Sequence, residues 1–176
     1  YSSGHTIARN VLSGSQFSGV LLIGGANTTI SDNIVGLSVD GVTVVTNEDN
    51  GITVFDGANN TTITRNVISG NAGDGVVLVA ATDTSVQSNF IGLTPDGTQI
   101  LTNGAAGVAL TAGTTRTLVG GPDDAERNLI GGNGVGIRAR HGCRRGLRRR
   151  HRRHEGDLGQ RGRLGGRARL AAAARR

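Results

Sequence analysis

Lysine, tryptophan and methionine are missing from this 176-residue chain, and cysteine, proline and aromatic residues are scarce. The single cysteine, Cys143, lies in the arginine-rich end, which excludes a disulfide scaffold and a CxxC metal site. No apolar run approaches the ~18 residues of a membrane helix, so a soluble chain with no membrane contact is expected. No stretch of about ten residues sustains helical spacing. Tyr1 opens the sequence without a Met, a basic n-region or an apolar h-region. The chain is therefore expected to be a fragment whose export signal was removed or lies upstream.

Charge is divided unevenly. Residues 1–137 carry four Arg against eleven Asp and Glu, a balance of −7, whereas residues 138–176 carry fifteen Arg against Glu155 and Asp157, a balance of +13. The overall +6 thus describes neither part. What is abundant in the first part is Gly, Asn, Thr, Val and Ile, a composition of either low complexity or many short strands joined by tight turns.

Periodicity decides between them. Thr6-Ile7-Ala8-Arg9-Asn10-Val11-Leu12-Ser13-Gly14 aligns with Thr62-Ile63-Thr64-Arg65-Asn66-Val67-Ile68-Ser69-Gly70 at an offset of 56, and the register then holds without a gap through Gly51 and Gly107. Within each 56 residues a Thr-Thr-Ile-like step recurs at Ile7, Ile30, Ile63, Val86 and Val119, with spacings of 23, 33, 23 and 33. An Asn-x-apolar step comes next, giving Leu12, Val35, Ile68, Ile91 and Ile130. A third step, Gly-apolar-x-apolar, supplies Val20 and Leu22, Ile52 and Val54, Val76 and Leu78, and Val108 and Leu110. Alternation over so few residues is the strand period, and Gly, Asn and Asp between strands tolerate the left-handed backbone of a sharp corner.

Three strands and three corners close one coil. A lone coil cannot bury its inward row, so successive coils must stack in parallel. Ile7, Ile30, Ile63, Val86 and Val119 are then predicted to form one core column, and Leu12, Val35, Ile68, Ile91 and Ile130 a second. Asn10, Asn33, Asn66, Asn89 and Asn128 fall at one corner of consecutive coils. They are predicted to form a structural ladder in which side-chain amides bond one another and the backbone of the bend.

The repeat units Arg65 to Asn71, Gly75-Val76, and Ile91-Gly92 to Gly97 resemble the right-handed parallel β-helix repeat superfamily, which includes pectate lyases, polygalacturonases and many large bacterial surface proteins. They are most similar to the non-enzymatic surface-protein repeats. The resemblance covers residues 5–137 and implies an all-β, right-handed parallel β-helix of about four to five coils. It also implies an extracellular or cell-surface location.

Catalytic residues do not emerge. Arg9, Arg65 and Arg127 lack the Pro, second Arg and Asp cluster that a lyase of that superfamily requires, and are taken as solvated charges near acidic neighbours. Of the hydrolase pattern only Asp123-Asp124 is present, in an insertion between Val119 and Ile130 that reads as an exposed acidic turn. Asp123, Asp124 and Glu126 are the candidate Ca²⁺ ligands; otherwise no cofactor is expected. Gly73-Asp74-Gly75 lacks the spacing of a calcium-binding nonapeptide and is set aside.

The long coils carry extra residues at a fixed place, 37–49 and 93–105, with turns at Val39-Asp40-Gly41 and Pro95-Asp96-Gly97. These loops should protrude on one side. They are the expected contact surface for a glycan or another surface protein, because solenoids bind through repeated loops on one face. From Arg138 the strand pattern gives way to Arg, Gly, Ala, His and Leu. Residues 138–176 are expected to be disordered, and the GC-rich codons of these residues suggest a misread frame rather than a nucleic-acid-binding arm. Nucleic acid is not expected as a partner. The favoured function is a non-catalytic structural or display segment of an exported or cell-surface bacterial β-helix protein, with an adhesive role. The alternative is a carbohydrate-binding or polysaccharide-cleaving β-helix whose catalytic coils lie outside this chain. A row of exposed aromatics would favour that alternative, and residues 2–137 offer only Phe17, Phe55 and Phe90.

Overall fold

The computed structural model describes residues 2–111 and 113–140, so the arginine-rich stretch from residue 141 onward lies outside the described residues. Fifteen short strands wind as five coils of three. The first coil holds β1 (Thr6–Ala8), β2 (Val11–Leu12) and β3 (Val20–Ile23). The second holds β4 (Thr29–Ser31), β5 (Ile34–Val35) and β6 (Ile52–Phe55), and the third β7 (Thr62–Thr64), β8 (Val67–Ile68) and β9 (Val76–Val79). The fourth has β10 (Ser85–Gln87), β11 (Phe90–Ile91) and β12 (Ala106–Leu110), and the fifth β13 (Leu118–Val119), β14 (Leu129–Ile130) and β15 (Val135–Ala139).

Every third strand pairs in parallel, giving three five-stranded sheets ordered β1-β4-β7-β10-β13, β2-β5-β8-β11-β14 and β3-β6-β9-β12-β15. In the first sheet each strand is so short that only its central residue points inward. Ile7, Ile30, Ile63, Val86 and Val119 are register partners in succession. In the second sheet Leu12, Val35, Ile68, Ile91 and Ile130 are partners in the same way. With the inward residues of the third sheet they form one apolar core, in which Ile30, Ile63, Ile68, Val76, Leu78, Val86 and Ile91 are fully buried. Stiff β-branched side chains stack well at the ~4.8 Å rung spacing.

The two-residue strands of the second sheet are apolar on both faces. Val11, Ile34, Val67, Phe90 and Leu129 form an outward column in register. Loops 37–49 and 93–105 therefore do not stand clear of the coils. Each makes a small hairpin, bridged at Leu37 and Val44 or at Leu93 and Ile100, and turns back over this face. Gly97 lies against the Phe90 ring and Leu129, and Gly41 of the first hairpin lies against the Pro95 ring of the second.

Most left-handed corner positions are Gly, Asn or Asp, but Arg, Ser and Ala also occupy some of them. Arg9, Asp32, Arg65 and Ser88, each just before a corner asparagine, have φ of 54° to 59°. The left-handed region costs a residue such as Arg roughly 1–2 kcal/mol. Bonds to the next coil hold three of these corners in place, from the N–H groups of Arg9, Asp32 and Ser88 to the carbonyls of Ser31, Thr64 and Glu126. At the other end of the chain, β15 continues through Arg138 and Ala139, two residues past the compositional break at 137. Among the described residues no helix is long and apolar enough to cross a membrane.

Candidate functional site

The most organised polar arrangement is a pair of asparagine columns running along the coils. In the first, Asn10, Asn33, Asn66 and Asn89 each donate from Nδ2 to the Oδ1 of the next asparagine, ending at Asn128, over 3.0 to 3.1 Å. The same Oδ1 atoms accept from the backbone N–H of the preceding coil's asparagine. The Nδ2 groups of Asn33, Asn66, Asn89 and Asn128 also reach backwards to the carbonyls of Ile7, Ile30, Ile63 and Val86. Backbone groups at a corner have no ladder partner of their own, and each carboxamide supplies both a donor and an acceptor there.

A second column stands at the next corner and was not anticipated. Asn47 donates to Asn71, Asn71 to Asn103 and Asn103 to Asn133, over 2.8 to 3.0 Å. The signal available for it was the pairing of Asn47 with Asn103 at the 56-residue offset. Loops of unequal length precede these asparagines and hide the regular step.

Three ion pairs join charged groups of different coils. Arg65 donates to both carboxylate oxygens of Asp32 at 2.8 Å, and Arg116 to both of Asp83 at 2.6 Å. Hydrogen bonding from the guanidinium holds each of these carboxyls below its ordinary pKa. These pairs are exposed, so they fix corner geometry more than they stabilise. Arg127 bonds Asp124, its neighbour in the same turn. Asp74 is nearly buried, accepts from the Ala106 N–H at 2.6 Å, and receives Arg138 at 2.6 Å from two coils away. Arg138, Ala109 and Val77 are register partners on the outer face of the third sheet, so the arginine stem crosses the fourth coil to reach Asp74.

In the two hairpins a carboxylate locks the turn. Asp40 accepts from the Ser38 and Thr43 hydroxyls and from the Val42 and Thr43 N–H groups. Asp96 accepts from the Thr94 hydroxyl and from the Thr98 N–H and hydroxyl. The hydroxyl of Ser38 or Thr94 is the largest influence in lowering the corresponding carboxyl pKa, and that of Asp40 falls far below the usual range. The hairpins also expose apolar side chains, most of all Val39 at 80% and Ile100 at 64%.

Asp123 caps a single 3₁₀ turn, Asp124–Glu126, that contains the other two acids. Glu126 Oε2 turns back to accept from the Asp123 N–H, while Asp124 is held by Arg127. Their carboxylates do not converge, and among the described residues no group of three or more His, Cys, Asp or Glu is gathered to hold a metal. Asp123 and Asp124 do border a cleft of about 410 Å³ with Val119, Ile130 and Ile137, the inward residues of the fifth coil.

Three parallel sheets, one-residue core columns and stacked corner asparagines define a parallel β-helix. Over residues 1–145 the chain matches the family described as the right handed beta helix region, and it belongs to that family. No curated protein and no solved structure matches the chain.

Proposed function

We propose that this β-helix is a structural and display segment of an exported or cell-surface protein, whose rigid stack of coils presents the hairpins at 37–49 and 93–105 to a glycan or another surface protein in an adhesive role. The observation that carries this reading is the duplication of one device. Two hairpins two coils apart have the same carboxylate-locked turn and are stacked at Gly41 and Pro95, and both expose apolar side chains. Repeated loops on one face of a solenoid form an extended contact surface. A glycan array probed with the full chain tests it. Binding should weaken in a variant combining Val39→Asp with Ile100→Asp, the two most exposed apolar positions of the hairpins, and binding that is unchanged would count against the display role.

A second reading, polysaccharide cleavage, is favoured by the placement of Asp123 and Asp124 in the cleft of about 410 Å³. The assay is turnover of polygalacturonate and alginate with and without Ca²⁺. No turnover is expected. Cleavage that disappears in Asp124→Asn would replace the display assignment with an enzymatic one.

A further inference from the structure

We infer that Asn103 and Asn133 are latent deamidation sites, Asn103 protected while the coils are closed and both modified once they open, after which the second asparagine column cannot re-form. The two columns differ in the residue immediately C-terminal to each asparagine. In the first column these residues are Val11, Ile34, Val67, Phe90 and Leu129. In the second they are Glu48, Ala72, Gly104 and Gly134. A bulky side chain hinders the approach of its own backbone nitrogen to the preceding carboxamide carbon. Glycine has no side chain and reaches the required conformations freely.

The step is intramolecular. The glycine nitrogen attacks Cγ of the asparagine, the new N–Cγ bond forms as the Cγ–Nδ2 bond breaks, and the amide proton leaves with Nδ2 as ammonia. Water then adds to either carbonyl of the succinimide and opens it to aspartate or isoaspartate. Water is the only co-reactant.

The fold itself imposes this labile dipeptide. Asn103 is needed by the column, and a Cβ on residue 104 would run into the Ala72 carbonyl oxygen, so only glycine fits. The folded chain engages both reacting groups of the Asn103-Gly104 step in hydrogen bonds. Asn103 is 2% exposed, its Oδ1 accepts from the Asn71 N–H and Nδ2, and its Nδ2 donates to Ile68 O and Asn133 Oδ1 at 3.0 Å. The Gly104 N–H is occupied at 2.8 Å by Asn71 O. Asn133 is held by Ile91 O and Gly131 O but is only half-buried.

Modification would reverse this arrangement. An aspartate at 103 keeps the two accepted bonds but turns a buried negative oxygen toward Ile68 O and Asn133 Oδ1. An isoaspartate adds a backbone atom and shifts the following strand out of register. Unfolding then becomes irreversible through covalent change rather than aggregation.

The test holds the full chain in guanidinium chloride at mildly alkaline pH, with a parallel native sample, both in heavy-oxygen water. Each asparagine peptide is then read by mass spectrometry and refolding by circular dichroism. Label is expected in the denatured sample at Asn103, Asn133 and Asn50, which precedes Gly51, ahead of every first-column asparagine. Native Asn103 should stay unlabelled, and the refoldable fraction should fall in step with label at 103 and 133. An Asn50→Ser variant should lose refolding at the same pace. Full refolding of labelled chains, equal labelling of native Asn103, or loss abolished by Asn50→Ser would each overturn the inference.

Discussion

Asn66→Ala removes the centre of the first asparagine column. Asn66 is fully buried, and its side chain takes part in five hydrogen bonds. Alanine leaves the Asn33 N–H without the Oδ1 it donates to at 3.0 Å. An orphaned buried donor costs about 1–3 kcal/mol, and each further bond lost about 0.5–1.5 kcal/mol. The two Nδ2 protons serve three acceptors, so roughly three further bonds count independently. The sum is about 2.5–7.5 kcal/mol, a large share of the ~5–15 kcal/mol that holds an ordinary domain folded. Asn10→Ala, at an exposed corner of the first coil, loses only donations to Ala8 O and Asn33 Oδ1 and should cost roughly 1 kcal/mol. Urea unfolding followed by circular dichroism reads both. Equal midpoints for the two variants, or an Asn66→Ala midpoint matching the parent, would refute the claim that the column satisfies the corner backbone.

Ile63→Asp places a carboxylate in the core column between Ile30 and Val86 and should cost several kcal/mol; an unchanged thermal melt would contradict the column. Thr28 and Thr84 are each 1% exposed, and their hydroxyls find no hydrogen-bond partner among the described residues, so Thr28→Val and Thr84→Val should each raise stability by about 1 kcal/mol, measured in the same urea assay. A loss of stability would show that those hydroxyls are satisfied. Asp32, Asp40, Asp83 and Asp96 have lowered folded-state pKa values, so their contribution is complete above the unfolded value of about 4 and is lost as pH falls through the folded values. Urea midpoints should decline on acidification below about pH 4, less so in an Asp40→Asn, Asp96→Asn double variant; a midpoint that rises instead would reverse the sign.

The coil was legible because its strands are short enough for the apolar step to mark them individually. Ile7 to Ile63 and Leu12 to Ile68 repeat at the 56-residue offset, and parallel stacking is the arrangement that buries both rows. The outward face of the second sheet was not legible. A two-residue strand such as Phe90-Ile91 is apolar at both positions, and nothing local says that a hairpin packs on the outer one. The second asparagine column escaped for a different reason: its spacings of 24, 32 and 30 mix coil length with hairpin length. Composition placed the break after Ile137, yet Arg138 and Ala139 continue β15, because the arginine stem lies on the outer face while Ala139 keeps the inward place. The expectations for disorder or a misread frame beyond residue 140 lie outside the described residues.

The coils stack in register at alternating sequence separations, and a disulfide trap tests that register directly. Thr62 and Ser85 are register partners whose hydroxyls lie 3.4 Å apart on the outer face of the first sheet. In a Cys143→Ser background, Thr62→Cys with Ser85→Cys places two thiols one rung apart, at a Cα separation of ~4.8 Å and within reach of a disulfide. Thr62→Cys with Gln87→Cys moves the partner two residues along, to roughly 8 Å, beyond that reach. Mild oxidation and mass spectrometry should show the bridge in the first pair and free thiols in the second. Bridging of the second pair in preference to the first would contradict the register and the fold built on it.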